Sequence, residues 1–423
     1  MGKFLQIFTV PDLRKKVFMV LIWLVLFRAL AAIPIPGVNP EQVRNFFAGN
    51  EIFGLFNLFS GGALSNLSVI MLGVGPYITA TIIMQLLTMI FPRLKEIYYE
   101  EGAAGRAKFN RYSRWLTIPL AFFQSYAFLR ILASQNVVGS LSKGELVINV
   151  LAITAGSAIL MWIGELISEY KIGNGISLLI FAGIVSSLPS FISQIVTNPG
   201  QIDFATYIAF GLLSLLIIAG VVFVSQGERK IPISYSKRIR GNRMYGGSVS
   251  YLPLKVNQAG VIPIIFAISI LIFPQFIAQL VAIFSVSASN KVAGIMGVFY
   301  NNQILYSIAY FLLVVVFTYF YTAITFDPKE ISKNLQRSGG FIPGIRPGDP
   351  SGEFLSKLTK RITLFGAIFL GLIAVLPNIT QIVTGTQLLT LGGTSLLIVV
   401  AVALETMKQI DSQLVLREYE GLE

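Results

Sequence analysis

An all-α polytopic membrane protein with ten transmembrane helices is the fold class this sequence predicts, and three observations predict it. Of 423 residues, 54% are hydrophobic and only 12% charged, with a mean hydropathy of +0.74. A soluble domain of this length cannot hide so much apolar surface. Ten apolar runs each approach the ~20 residues that one helical crossing needs. The basic residues are lopsided. With the N-terminus inside, 27 of the 32 lysines and arginines fall in inside segments, and only Arg44, Lys143 and Lys291 fall outside. That asymmetry predicts that both termini lie on the inner side.

The first run, Val17–Ile35, follows the basic stretch "PDLRKK" and ends at "IPIPG". It lacks a small-residue cleavage site, so a retained span is expected and not a removed signal peptide. The next stretch, "FNLFSGGALSNLS" at Phe56–Ser68, is too short and too polar to cross a bilayer. It is expected as irregular backbone at membrane depth, tolerated where protein or a water-filled cavity surrounds it. The second span, Val69–Phe91, carries Gly73, Gly75 and Pro76 in its first half. Trp115–Ala133, Val147–Ile167 and Gly175–Val196 complete a first set of five. Ala205–Ser225, Gln258–Phe284, Leu305–Phe326, Ile362–Ile382 and Leu388–Met407 form a second set. Five is odd, so the second set enters the membrane from the opposite side. Residues 1–200 and 201–423 are therefore expected as two pseudo-symmetric, inverted five-helix halves. The halves share no convincing sequence similarity. Each does have one long outside connection, Pro36–Ser68 and Ser285–Ile304.

Two inside loops, Gln226–Asn257 and Asp327–Arg361, are the largest soluble parts. Their positive charge alone suits an orientation signal. Tyr235, Tyr245 and Tyr251 among alternating apolar residues, and the tight turn at Gly344–Gly348, go beyond that need. A protruding docking surface for an acidic protein or for RNA phosphates is expected.

Absent residues exclude whole function classes. The chain has no cysteine and no histidine. Disulfides, Ser–His and Cys–His catalysis and Cys/His metal sites are therefore out. All five aspartates (Asp12, Asp203, Asp327, Asp349 and Asp411) and all lysines lie outside the spans. No G-x-x-x-x-G-K-[ST] loop is present, so the chain is not expected to be its own ATPase. Taken together, these absences lead to the expectation of no cofactor, metal or catalytic residue. A secondary solute transporter with inverted repeats is the alternative to a channel, but ion-coupled carriers hold ionisable residues near mid-membrane. Here Arg28 and Arg130 sit toward outer ends, and Glu165 and Glu405 toward inner ends, where they can snorkel or cap helices. Gln85, Gln124 and Ser269 remain as polar residues within spans, and interhelical hydrogen bonding is a sufficient role for them. Stretches such as "GISLLIFAGIVSS" and "GGTSLLIVVAVAL" combine small residues with β-branched aliphatics. Core packing explains any one of these residues. Together they also suit a pore closed by apolar contact, which blocks ions by dewetting.

The motifs "FRALAAIPIPG", "FNLFSGGALSNLSVIMLGVGPYITATIIMQLL", "GNGISLLIFAGIV", "LPLKVNQAGVIPIIFA", "FIPGIRPG" and "GGTSLLIVV" run from end to end of the chain. In them it closely resembles the SecY family, the central subunits of bacterial protein-translocation channels. The resemblance implies an hourglass channel of two five-span halves hinged between the fifth and sixth spans. It implies a constriction ring of Val74, Ile78, Ile180, Ile184, Ile265 and Ile398. It implies a re-entrant plug helix covering Phe59, Ser60, Gly61, Gly62, Ala63, Leu64 and Ser65. A lateral gate would part between the second and third spans and the seventh and eighth, lined by Gln85, Gln124 and Ser269. Lys237, Arg238, Arg240, Arg243 and Arg346 would dock the ribosome and the motor ATPase SecA. Asn242-Arg243 stands where family members often carry an Arg-Arg pair, which leaves Arg346 as the stronger docking residue. Further partners implied are the small membrane subunits SecE and SecG, signal peptides, the translocating polypeptide and membrane lipid. The implied location is the bacterial inner membrane.

Overall fold

The structure is a computed structural model. It describes residues 10–36, 60–64, 66–99, 101–134, 142–197, 204–235, 238–240, 243–245, 249–284, 291, 294, 296–300, 302–384 and 390–420. In chain order the helices are α1 (Pro11–Ala31), α2 (Gly75–Ile90), α3 (Pro92–Tyr99), α4 (Gly102–Ser134), α5 (Lys143–Glu169), α6 (Gly175–Thr197) and α7 (Phe204–Gln226). Strands β1 (Glu228–Tyr235), β2 (Arg238–Arg240), β3 (Arg243–Tyr245) and β4 (Val249–Lys255) follow. Then come α8 (Ile262–Phe284), α9 (Gln303–Thr325), α10 (Pro328–Arg337), β5 (Gly340–Phe341), α11 (Asp349–Thr384) and α12 (Thr390–Glu420).

The helices start where local chemistry allows. Ser142 accepts from the Glu145 N–H at 3.3 Å while the Glu145 carboxylate accepts from the Ser142 N–H at 2.8 Å, so α5 opens on a reciprocal capping box. Pro76 stands in the first turn of α2, where its missing N–H is no loss. Several helices extend beyond the expected spans. α4 begins thirteen residues before the expected third span, α11 begins at Asp349, and α12 continues to Glu420.

Four helices among the described residues are long and apolar enough to cross a membrane: Gly102–Ala133, Lys143–Glu169, Gln303–Arg337 and Asp349–Ile382. Gly75–Ile90 with Pro92–Tyr98 joins them if that pair, bent by 115°, is one span. The bend falls at Phe91, before Pro92, which disfavours helical backbone in the preceding residue. Gly175–Pro189, Gly211–Gln226 and Ile262–Leu271 are shorter apolar helices.

Helix pairing repeats. In the first set α2 packs on α4, α4 on α5, α5 on α6, and α1 on both α5 and α6. In the second set α8 packs on α9, α9 on α11, α11 on α12, and α7 on both α11 and α12. The two sets meet where α8 touches α2 and α4, and where α12 touches α6.

Two expectations need correction, and a third gains an addition. The second span was expected from Val69, but its helix begins at Gly75, and residues 66–74 form successive turns. The plug was expected as a helix. Its described residues, 60–64, are turns, because Gly61 and Gly62 both take positive φ (69° and 78°), which interrupts a right-handed helix. The bundle is all-α as expected, and the two basic loops add a small β structure to it. β1 pairs antiparallel with β4 along its whole length and with β5 at Ser234↔Phe341 and Tyr235↔Gly340. The two loops are thus one three-stranded sheet in the order β4-β1-β5. It has its own small core of Ile231, Leu254, Ile342 and Leu355.

Candidate functional site

The six aliphatic residues come from four helices and belong to one continuous apolar core. Val74 caps the start of α2, and Ile78 lies one turn on, its N–H donating to the Val74 carbonyl at 3.0 Å. Ile180 and Ile184 lie one turn apart on α6, Ile265 on α8 and Ile398 on α12. None is more than 7% exposed, so the centre of the bundle is dry.

The turns before α2 reach this centre because their backbone is tied at several points. Val69 and Ile70 lie against α5, where a Cβ added at Gly156 would stand 2.2 Å from the Val69 carbonyl oxygen. Only glycine admits that approach. The N–H of Ile35 donates to Leu67 O at 2.9 Å and the N–H of Val69 to Ile33 O at 3.0 Å, which clips the segment to the end of α1. Ala63 and Leu64 are fully buried in the same core as the six aliphatic residues. Gly61 lies against α6. A Cβ there would be 2.8 Å from Gly183 Cα and 2.8 Å from Phe27 Cζ. Gly183 immediately precedes Ile184 in α6. Phe59 and Ser65 lie outside the described residues.

Gln85 on α2, Gln124 on α4 and Ser269 on α8 sit on three helices that all pack on one another. Both glutamines are buried, and the Ser269 hydroxyl donates to Ile265 O at 2.8 Å within its own helix. The Gln85 Oε1 is buried without a hydrogen-bond partner among the described residues. Such a group destabilises the closed packing around it.

In the second of the two basic loops, Arg346 is exposed at the tip of its turn. The turn is held by its main chain and by two buried serines. The Ser351 hydroxyl donates to Arg346 O at 2.8 Å, and the Ser332 hydroxyl donates to Gly348 O. Gly344 and Gly348 take φ of 83° and 96°, which permits the reversal. Arg238, Arg240 and Arg243 lie on the β2–β3 hairpin, with Arg240 opposite Arg243 and Arg238 opposite Tyr245. Lys237 lies outside the described residues. The span-end charges have mixed fates. Glu165 pairs with Arg114 at 3.1 Å, Arg130 is exposed, and Arg28 turns inward.

Sequence reasoning missed Gly156, Gly183, Ser332 and Ser351, as well as the joining of the two loops. Neither a glycine in an apolar run nor a serine in a polar loop carries a local signal of which backbone it will meet. The repeated tyrosines and alternating apolar residues of the first loop were the available sign of strands.

Apolar helices packed round a buried aliphatic core, with a turn folded against it, define a polytopic membrane bundle. The SecY family profile matches residues 68–407. Over 445 aligned positions the chain is 46% identical to Protein translocase subunit SecY of Mycobacterium leprae (strain TN), covering 100% of this chain and 99% of that one. Two solved structures share the fold. One shows a SecY translocation channel whose plug domain stabilises the closed state and maintains a membrane seal (TM-score 0.65, 21% identity, 95% of this chain and 92% of that chain). The other is Sec61 in a canine ribosome–channel complex from the endoplasmic reticulum (TM-score 0.64, 22% identity, 95% and 92%). The chain belongs to the SecY family: it is a protein-translocation channel subunit, not an enzyme.

Proposed function

We propose that Val74, Ile78, Ile180, Ile184, Ile265 and Ile398 form the constriction through which unfolded polypeptide passes, and that residues 59–65 plug it at rest. The observation that carries this reading is the seating of Gly61 against Gly183, beside Ile184, inside the core that all six residues share. Fully wetting six such side chains would cost on the order of 10 kcal/mol. The ring therefore closes on itself or on a passing chain. Aliphatic walls offer that chain no hydrogen-bond partner, so side chains of any kind slide through.

The contacts of α8 with α2 and α4 form the lateral gate, lined by Gln85, Gln124 and Ser269. The recurring helix pairs support residues 1–200 and 201–423 as the two halves that part there. An unsatisfied Gln85 oxygen makes that seam less costly to open, and an apolar segment entering it partitions into lipid by its own transfer free energy. The two basic loops carry the docking residues for the ribosome and SecA, with Arg346 in the turn after β5 and Arg238, Arg240 and Arg243 on the separate β2–β3 hairpin. The Sec61 relative bound to a ribosome supports the first of these partners. SecE and SecG, signal peptides and lipid complete the setting. The charge asymmetry supports the bacterial inner membrane with both termini cytoplasmic.

A photo-crosslinking residue at Ile180 tests the reading. It should capture a secretory chain stalled in transit, with and without the motor. Capture from the lipid-facing Leu216, but not from Ile180, would sink the assignment of the ring.

A further inference from the structure

The first span holds a charged residue that the channel reading leaves without work. Arg28 lies in the last turn of α1. A cation there suits the helix dipole and can snorkel to the outer surface, as the exposed Arg130 does in the last turns of α4. Arg28 does neither in full. It is half-buried, and its guanidinium donates to the carbonyl of Gly61. No carboxylate among the described residues pairs with it.

The acceptor is well placed to matter. Gly61 is the first of two glycines with positive φ, and it is wedged between Phe27 of α1 and Gly183 of α6. Three residues on, the Leu64 N–H donates to the Ser60 hydroxyl at 3.1 Å, so the turn moves as one piece. Its far end is clipped to residues 33–35 by the Ile35 and Val69 amides. The Leu67 and Ser68 amides carry those clips on to Leu64 O and Ala63 O, at 2.9 Å each, and so hold the later part of the turn. The contact from Arg28 is to Gly61, the residue that lies on α6.

We infer that Arg28 is the latch of the plug: a positioning residue whose charged hydrogen bond to the Gly61 carbonyl holds the turn on α6 while the channel rests. The inference rests on the plug reading above. A guanidinium bonded to a neutral carbonyl in a half-dry setting is stronger than a neutral pair. It also has an alternative state. A displaced plug exposes Arg28 to the water of the open funnel, where its charge is solvated, so the latch releases without leaving a buried unpaired cation. A carboxylate partner would have made release much harder.

The test is a double-mutant cycle on the full chain, reconstituted with its subunits in lipid bilayers, read as resting ion conductance. Arg28→Met removes charge and donors but keeps length. It should raise resting conductance by roughly tenfold, as the loss of one charge-assisted hydrogen bond predicts. Deleting residues 60–64 should raise it as well, and in that background Arg28→Met should add nothing. Arg28→Lys, which keeps the charge with a less apt donor, should fall between Met and the parent. If Arg28→Met does not accumulate in the membrane, the same cycle is run with Arg28→Lys. Two outcomes overturn the latch while leaving the plug intact: a leaky deletion with a tight Arg28 variant, or an Arg28 effect of equal size in both backgrounds. A deletion as tight as the parent overturns the plug reading itself, and the latch falls with it.

Discussion

The dry centre and the inner sheet are both built round a small apolar core, yet different forces hold them. At the centre, Ile180, Ile184, Ile265 and Ile398 are positioned by helix packing, and close backbone approaches such as Gly61 on Gly183 set the spacing. At the inner sheet, main-chain pairing of β1 with β4 and β5 sets the geometry. Ile231, Leu254, Ile342 and Leu355 seal one side of it. The difference suits the two tasks. A constriction must open and reclose, so contacts without direction serve it well. A docking surface must present charges at fixed positions, so directional hydrogen bonds under the turn at Gly344–Gly348 serve better.

Four substitutions break or sharpen this contrast, in decreasing order of expected effect on stability. Ile180→Asp places an unpaired carboxylate in the dry centre. It should destabilise the closed channel by more than about 4 kcal/mol, read as loss of accumulation or a low melting temperature in detergent. A normal melting temperature would mean that Ile180 faces water at rest. Leu355→Ala should cost about 2–5 kcal/mol, the usual range for a fully buried leucine. The loss should stay local: proteolysis within 327–361 should quicken while the membrane helices melt as before. Coincident loss of both would show the two cores to be one cooperative unit.

Ser332→Ala removes the hydroxyl that donates to Gly348 O and should cost about 1 kcal/mol. It should also weaken motor-driven transport several-fold by loosening the turn under Arg346. Weakened stability with unchanged transport would detach the turn's geometry from docking. Arg346→Glu is exposed and should change stability by no more than about 0.5 kcal/mol. It should nevertheless abolish motor-driven transport while the channel still inserts. Unchanged transport would remove Arg346 from the docking surface.

Much of this was legible in the chain because lipid imposes simple rules. Apolar runs and the placement of lysine and arginine define candidate spans and orientation without knowledge of partners. Motif order then singled out Val74 to Ile398, which are buried in one shared core. Less legible was where a helix begins inside an apolar stretch. Val69 to Val74 are as apolar as the helix that follows, and only the tied backbone and Gly156 keep them as turns. The docking arginines were legible as charge, but the scaffold beneath them was not.

By itself, then, the sequence determined that this is a polytopic membrane bundle, and its motifs pointed to the family it belongs to. Those are properties of composition and pattern, summed residue by residue along the chain. The tertiary structure decided which backbones touch: Gly61 on Gly183, β1 on β5 across a hundred residues, and Arg28 on the turn it faces. Such contacts join segments far apart in the chain. Their energy depends on shape and distance in space, which no local stretch of residues carries.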